Sequence, residues 1–374
     1  MMIGSMCAGT KSMEDAMAYN EMSAVIADGH GGFHGAQLAQ KACEELIKAM
    51  HNIDDSYNPE KFFETMPQLY HQIHMDYKQK MVMGGAKLEH DIPVIDGLHV
   101  RGGCAVANMI YSTFHGRSYI MTANVGDTEV FLFTVKDGVY RAKQLTTTHS
   151  PTSQSEYFRI QKHGMRAGHC MYDTKKATTV GGHLSIFHDD GSYIAYEDTY
   201  TPYIKAYAEY HRVYTEVSDA KKAGLPYHEL LPLLQCLQTE YKTKTSEYMN
   251  SDDGRRCPST VRDDRGAYLM QDTYNPLNMI RLAITRAIGD YSAHEIGLTT
   301  EPSVHITWLD QEDLGDHAII FMASDGILDC YEFDDLAKIV FTSDQATLLD
   351  QFREKAMKLF QERDDMSYVM KQLL

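Results

Sequence analysis

Met22-Ser23-Ala24-Val25-Ile26-Ala27 is a short apolar run that stops at Asp28-Gly29-His30-Gly31-Gly32. A run of this kind feeding a glycine-rich stretch reads as a strand entering a turn. Helical spacing follows, with Leu38, Ala42, Leu46 and Met50 at four-residue steps. After Pro59 a second helix is predicted, carrying Phe62, Met66, Tyr70 and Ile73 on one face. Strand signals then cluster at Cys104–Tyr111, Ser118–Asn124 and Glu129–Thr134, and Gly126-Asp127 reads as a hairpin link between the last two. Ala318–Ala323 has the pattern of a buried strand, Ala346–Phe360 that of an amphipathic helix, and Ser367–Met370 closes the pattern as a strand. Strands mixed with helix pairs predict an α+β layered architecture.

The chain has 374 residues, 43% of them apolar, which suits one large domain or two modest ones. Its formal charge of -17 argues against non-specific nucleic-acid binding, which needs a basic surface. The same acidity fits a concentrated carboxylate site that a cation would neutralise. Seven cysteines with no Cys-x-x-Cys pair read as reduced thiols, a cytoplasmic or nuclear setting, and no structural zinc. Met1–Thr10 lacks a signal-peptide pattern and the apolar runs are too short to span a bilayer, so no membrane association is expected. Residues 165–280 differ from the rest: rich in Tyr, His, Thr and Lys, with one helix near Leu230–Tyr248 and a charged loop at Ser251–Gly266. This stretch is predicted to be an insertion on the main domain.

Three apolar runs end at an aspartate beside a glycine: Asp28-Gly29, Gly126-Asp127 and Asp325-Gly326. A further pair, Asp364-Asp365, precedes the last strand. A carboxylate at a strand end is rigidly held yet faces an open edge, and an adjacent glycine lets a ligand approach closely. Several such ends converging would form an oxygen-rich cage, suited to Mg²⁺ or Mn²⁺. Any one Asp-Gly alone is a common turn dipeptide.

The order of these motifs resembles the type 2C metal-dependent protein phosphatases (the PPM family). The resemblance runs through Met13-Glu14-Asp15-Ala16, Asp28-Gly29-His30-Gly31-Gly32, Gly102-Gly103-Cys104-Ala105-Val106, Ala123-Asn124-Val125-Gly126-Asp127-Thr128 and Leu145-Thr146 with His149 and Pro151. It continues in Leu282-Ala283-Ile284-Thr285-Arg286-Ala287-Ile288-Gly289-Asp290, in Ala323-Ser324-Asp325-Gly326-Ile327-Leu328-Asp329, and in Asp364-Asp365-Met366-Ser367. The last stands where the family usually has Asp-Asn-Met followed by Thr or Ser.

The resemblance implies a phosphatase domain over residues 1–374, with a central β-sandwich of two antiparallel sheets flanked by helix pairs (a four-layer αββα fold). The 165–280 insertion would fall in its flap region. It implies two divalent cations held by Asp28, the Gly29 carbonyl, Asp325 and Asp364. Glu14 and Asp15 would orient water around them, and Asp127 and Asp329 would join Asp325 at a weaker third ion. His30 would protonate the leaving alkoxide, and phosphoserine and phosphothreonine proteins would be substrates of a monomeric enzyme. The family's phosphate-gripping Arg position is Thr10 here; Lys11 and Arg101 are the alternatives, Lys11 as a point charge in place of a bidentate fork. A second reading, a pseudophosphatase that binds phosphoproteins, draws on Thr10 and the enlarged insertion. A phosphoaspartyl mechanism would need Asp-x-Asp, and His30 occupies that place; no P-loop motif is present.

Overall fold

The computed structural model describes residues 2–6, 13–51, 59–162, 167–169, 171–173, 178–180, 209–210, 212–214, 216–221, 223, 225–250, 267–271, 280–360 and 364–373. Lys11, Thr10 and the loop Ser251–Gly266 lie outside them. The chain forms two compact units, Met1–Ser150 with Asp272–Ile280 and Ile284–Leu374, and Pro151–Gln271 with Arg281–Ala283.

Ten strands build the two main sheets of the first unit: β1 (Met2–Met6), β2 (Ala16–Tyr19), β3 (Ser23–His30), β4 (Gly103–Phe114), β5 (Arg117–Val125), β6 (Glu129–Lys136), β7 (Val139–Gln144), β8 (Ser303–Trp308), β9 (His317–Ala323) and β10 (Met366–Gln372). One sheet has the order β8-β5-β4-β3-β2, with the short strand Ile288–Gly289 also paired to β4; the other has the order β1-β10-β9-β6-β7. Every pairing within them is antiparallel.

Period-two alternation assigns each side chain to a layer. Ala24 and Ile26 of β3 pack between the sheets with Met109, Val130, Leu132, Ile320, Met322 and Val369. Val25 and Ala27 point the other way, onto helices α1 (Phe33–His51) and α2 (Pro59–Met83). There the predicted faces, Leu38, Ala42, Leu46 and Met50, then Phe62, Met66, Tyr70 and Ile73, are all buried. On the far side Phe131, Phe133, Phe321 and Tyr368 meet α3 (Phe333–Thr342) and α4 (Leu348–Phe360) through Leu336, Val340, Phe352 and Ala356. Helices, sheet, sheet and helices give the expected four layers of an α+β fold.

Two local readings change. Asp28, Gly29 and His30 remain in β3, paired with Ala105, Cys104 and Gly103, and the turn begins only at Gly31-Gly32. Gly126-Asp127 does not close a hairpin, because β5 and β6 belong to opposite sheets and the dipeptide carries the chain across the sandwich edge. The hairpins are turned instead by His115-Gly116 and Asp137-Gly138, each with two successive left-handed residues as a type I′ turn demands.

In the second unit, helices Gln154–Lys162 and Leu231–Asn250 accompany a three-stranded sheet of Ala167–His169, Ala267–Gln271 and Ile280–Leu282 and a hairpin of Met171–Asp173 with Thr178–Val180. Val213, Val217 and Leu237 form a small apolar cluster with Tyr210 and Leu234 around it. No helix among the described residues is long and apolar enough to cross a membrane.

Helix α2 also fixes the edge of the first sheet. Buried His74 accepts at Nδ1 from the Gly289 amide at 3.2 Å, and the Tyr291 hydroxyl donates to the His74 carbonyl at 3.0 Å. Burial pushes His74 down to about 3, with the cationic forms of His294, His71 and Lys78 adding to the effect.

Two predictions follow from this packing. Phe321 stacks on Phe133 at 5.0 Å and on Tyr368 at 5.8 Å. Phe321→Ala should therefore lower unfolding free energy by about 3–5 kcal/mol in urea titration. The second concerns acid. Below about pH 6.5 the unfolded chain protonates His74 while the folded chain does not until about pH 3. Stability is lost as pH falls through that window, by about 1.4 kcal/mol per pH unit from this group. His74→Gln, which keeps an acceptor but does not titrate there, should lose visibly less stability than wild type between pH 7 and pH 4.5. Parallel curves would exonerate His74.

Candidate metal centre and catalytic site

The carboxylates gather where the two sheets end together. Asp28 lies near the end of β3 in one sheet, and Asp325 opens the helical turn Asp325–Leu328 after β9 in the other. Their side chains hydrogen-bond each other. Ser324 locks the neighbouring ends: its amide donates to the Ser367 carbonyl at 3.1 Å, and its hydroxyl accepts from the Ser367 amide at 3.0 Å. The same hydroxyl donates to Asp15 Oδ2 at 2.9 Å. Asp364-Asp365 is pressed against Gly326 so tightly that a Cβ there would stand 2.1 Å from the Asp365 carbonyl oxygen and 3.3 Å from Asp364 Cβ. Only glycine allows that approach. The glycine of Asp325-Gly326, in the helical turn after β9, thus serves close packing.

Burial raises Asp28 well above the usual carboxylate range, and repulsion from Asp325, Asp15 and Asp127 raises it further. Asp325 is raised by burial and then by Asp127, Asp364 and Asp329. Burial is also the main cause at Asp15, pushed up to about 7 against the lowering hydrogen bonds of Ser324 and Ser367. These six side chains therefore feel one another, although the sequence scatters them. Negative charge confined in low dielectric is costly unless a proton or a cation compensates it. Among the described residues no three Asp, Glu, His or Cys side chains already stand round one point as a finished metal cage. The donor chemistry nevertheless fits a hard divalent cation: every group is an oxygen, and the Gly29 carbonyl lies beside Asp28.

The remaining candidates are placed as follows. Glu14 sends its carboxylate to the Gly32 amide at 2.8 Å, while its own amide donates to Asp365 Oδ2 at 2.6 Å. It braces the His30–Gly32 turn against the Asp365 loop. Arg101 is exposed, and its backbone crosses directly over Gly31, where a Cβ would lie 3.4 Å from the Arg101 carbonyl carbon. That places the Arg101 backbone beside the turn that follows His30. Asp329 is exposed, one helical turn after Asp325, to whose carbonyl its amide donates at 2.8 Å. Lys11 lies outside the described residues.

One residue to which the motif reading assigns no role stands beside His30. His30 Nε2 stands 2.6 Å from Asp290 Oδ2. Burial opposes charge on His30, but Asp290, with Asp127 and Glu14 behind it, outweighs that and raises the imidazole above its ordinary value. Asp290 was visible only as the end of Arg286-Ala287-Ile288-Gly289-Asp290. No local pattern links positions 260 residues apart.

The family model of protein phosphatase 2C matches residues 1–180 and 263–364 of this chain. No curated protein matches the sequence. Among solved structures, a sex determining protein of C. elegans aligns with a TM-score of 0.52 and 15% identity over 100% of this chain and 64% of that one. This chain thus spans less than two thirds of that protein's length. A serine-threonine phosphatase 2C from Toxoplasma gondii aligns with a TM-score of 0.50 and 13% identity, over 99% of this chain and 93% of that one. At such identities the likeness is one of fold. The family match extends over more than half the sequence, and on that ground the chain belongs to the protein phosphatase 2C family.

Proposed function

We propose that this chain is an active serine/threonine protein phosphatase, hydrolysing phosphoserine and phosphothreonine esters in protein substrates with two Mg²⁺ or Mn²⁺ ions. The observation that carries this reading is the part-buried contact between Asp28 and Asp325, with four further carboxylates near enough to act on them. An enzyme with no use for cations there would gain stability by replacing them. Asp28, the Gly29 carbonyl, Asp325 and Asp364 would hold the ions, with Asp127 and Asp329 offering a weaker third position. The ions supply the charge that makes water nucleophilic near neutral pH and offsets the charge of the phosphoryl group.

The chain's own residues supply the rest. Asp15, tied to Ser324, and Glu14, tied to Gly32, fix the walls around the nucleophile. Arg101 would orient the phosphate, with Lys11 as the alternative. A seryl or threonyl alkoxide is a poor leaving group, so His30 would donate a proton to it as the ester bond breaks, an effect of about 10²–10⁴-fold. Residues 165–280, as an insertion in the flap region, would choose among phosphoprotein substrates. The enzyme would act as a monomer in the cytoplasm or nucleus.

The test measures hydrolysis of p-nitrophenyl phosphate with and without Mn²⁺ or Mg²⁺. Wild type should be strongly metal-stimulated, and Asp325→Asn should lose roughly 100-fold or more. In chelator above neutral pH the variant should melt higher than wild type, because one of the mutually repelling carboxylates is gone. Adding Mn²⁺ should raise the melting temperature of wild type far more than that of the variant. A wild-type chain with no metal-stimulated turnover would instead be a phosphoprotein-binding module.

A further inference from the structure

We propose that Asp290 is a positioning residue for proton delivery: it holds the His30 ring so that Nδ1, not Nε2, transfers the proton to the leaving oxygen. The proposal rests on the reading of His30 as the acid.

The geometry is built across three strands. His30 of β3, Gly103 of β4 and Gly289 of the short outer strand lie abreast, since Gly103 pairs with His30 on one side and Gly289 on the other. The His30 and Asp290 side chains therefore meet over Gly103. A Cβ at that position would stand 2.1 Å from Asp290 Oδ2, so only a glycine leaves the path open. Asp290 itself has a left-handed backbone, φ 46°, a conformation that an aspartate adopts at some cost.

Several contacts hold it there. The Asp290 amide donates to the Gly102 carbonyl at 3.0 Å, and its carbonyl accepts from Ala293 at 2.7 Å. His74 accepts from the Gly289 amide, and His294 Nε2 lies 2.9 Å from the Gly289 carbonyl. The Asp290 side chain is 8% exposed and its oxygen is aimed at the ring. A surface ion pair needs none of this apparatus.

With Nε2–H held on the carboxylate, the ring is fixed in rotation and tautomer, and Nδ1 is the nitrogen left to carry the mobile proton. As the ester P–O bond breaks, its electron pair leaves with the seryl oxygen, which takes the Nδ1 proton. Water oxygen becomes the fourth oxygen of phosphate, its released proton passes to solvent, and His30 is recharged from solvent.

The experiment compares kcat on a phosphoserine peptide with kcat on p-nitrophenyl phosphate, both in Mn²⁺. The alkoxide needs a proton in the transition state and p-nitrophenolate does not. His30→Gln should lower the peptide rate far more than the aryl rate. Asp290→Asn should show the same asymmetry, about tenfold or more in the ratio of the two rates. The double variant should be no slower than His30→Gln, since the two act as one unit. Gly103→Ala, which keeps both residues but must push the Asp290 carboxylate off the ring, should reproduce the asymmetry and serves if Asp290→Asn does not fold.

Equal losses on both substrates for Asp290→Asn would make Asp290 structural and overturn the proposal. So would full additivity in the double variant. If His30→Gln itself shows no asymmetry while hydrolysis stays metal-dependent, the acid assignment fails, and Asp290's role with it. Loss of metal dependence altogether would instead refute the phosphatase reading.

Discussion

Two part-buried carboxyl groups, Asp28 and Asp325, touch at the place where two sheets end. Each comes from a different layer, so their contact requires both sheets to stop at the same height and the same edge. Left to themselves the two would separate, because burial and like charge both oppose ionising them together. They stay together because the surrounding architecture holds the ends in place. Ser324 joins β9 to β10 and to Asp15, and Glu14 joins the loop before β2 to Gly32 and Asp365. The fold here is stabilised by its apolar layers and spends part of that stability on an end that is electrostatically unfavourable. Proteins keep such a feature where function needs it.

Small residues make the arrangement possible. Gly326 lets the Asp364-Asp365 backbone come into contact with the turn that bears Asp325, and Gly103 leaves the lane through which His30 and Asp290 meet. Neither glycine has a side chain to offer a ligand. Their contribution is the volume they do not occupy, and in both cases the volume is filled by a carboxylate or its backbone. Hydrophobic packing sets the sandwich to within a few ångströms, and these close approaches set the last one.

Much of the architecture was legible because it follows from periodicity. Leu38, Ala42, Leu46 and Met50 could only be one helical face, and the apolar stretch at Ala318–Ala323 could only be a strand covered on both sides. Gly126-Asp127 misled because a turn dipeptide specifies a local change of direction, while the choice between pairing back and crossing to the other sheet is made by partners far away. Asp28-Gly29-His30 misled in the opposite sense. Glycines signal a turn, yet here the ladder to Gly103–Ala105 carries the strand through them. The aspartates at strand ends were visible as a series. Their electrostatic contact, and the bond from His30 to Asp290, exist only in three dimensions.

The departure at position 365 bears on how strongly this site leans on positive charge. Where the family usually has asparagine, this chain has Asp365, 8% exposed, with Oδ2 accepting from the Glu14 amide. An asparagine carbonyl could accept that hydrogen bond without charge. A carboxylate is a stronger acceptor than an amide carbonyl, but it also adds to the repulsion that raises Asp15. A tighter brace and a more negative end thus come from one substitution. The two effects pull stability in opposite directions when no cation is near and in the same direction when one is. Under the proposed metal-dependent reading, such a site would be more sensitive to the presence of cations than one with a neutral asparagine at this position, through a residue that need not touch the ion.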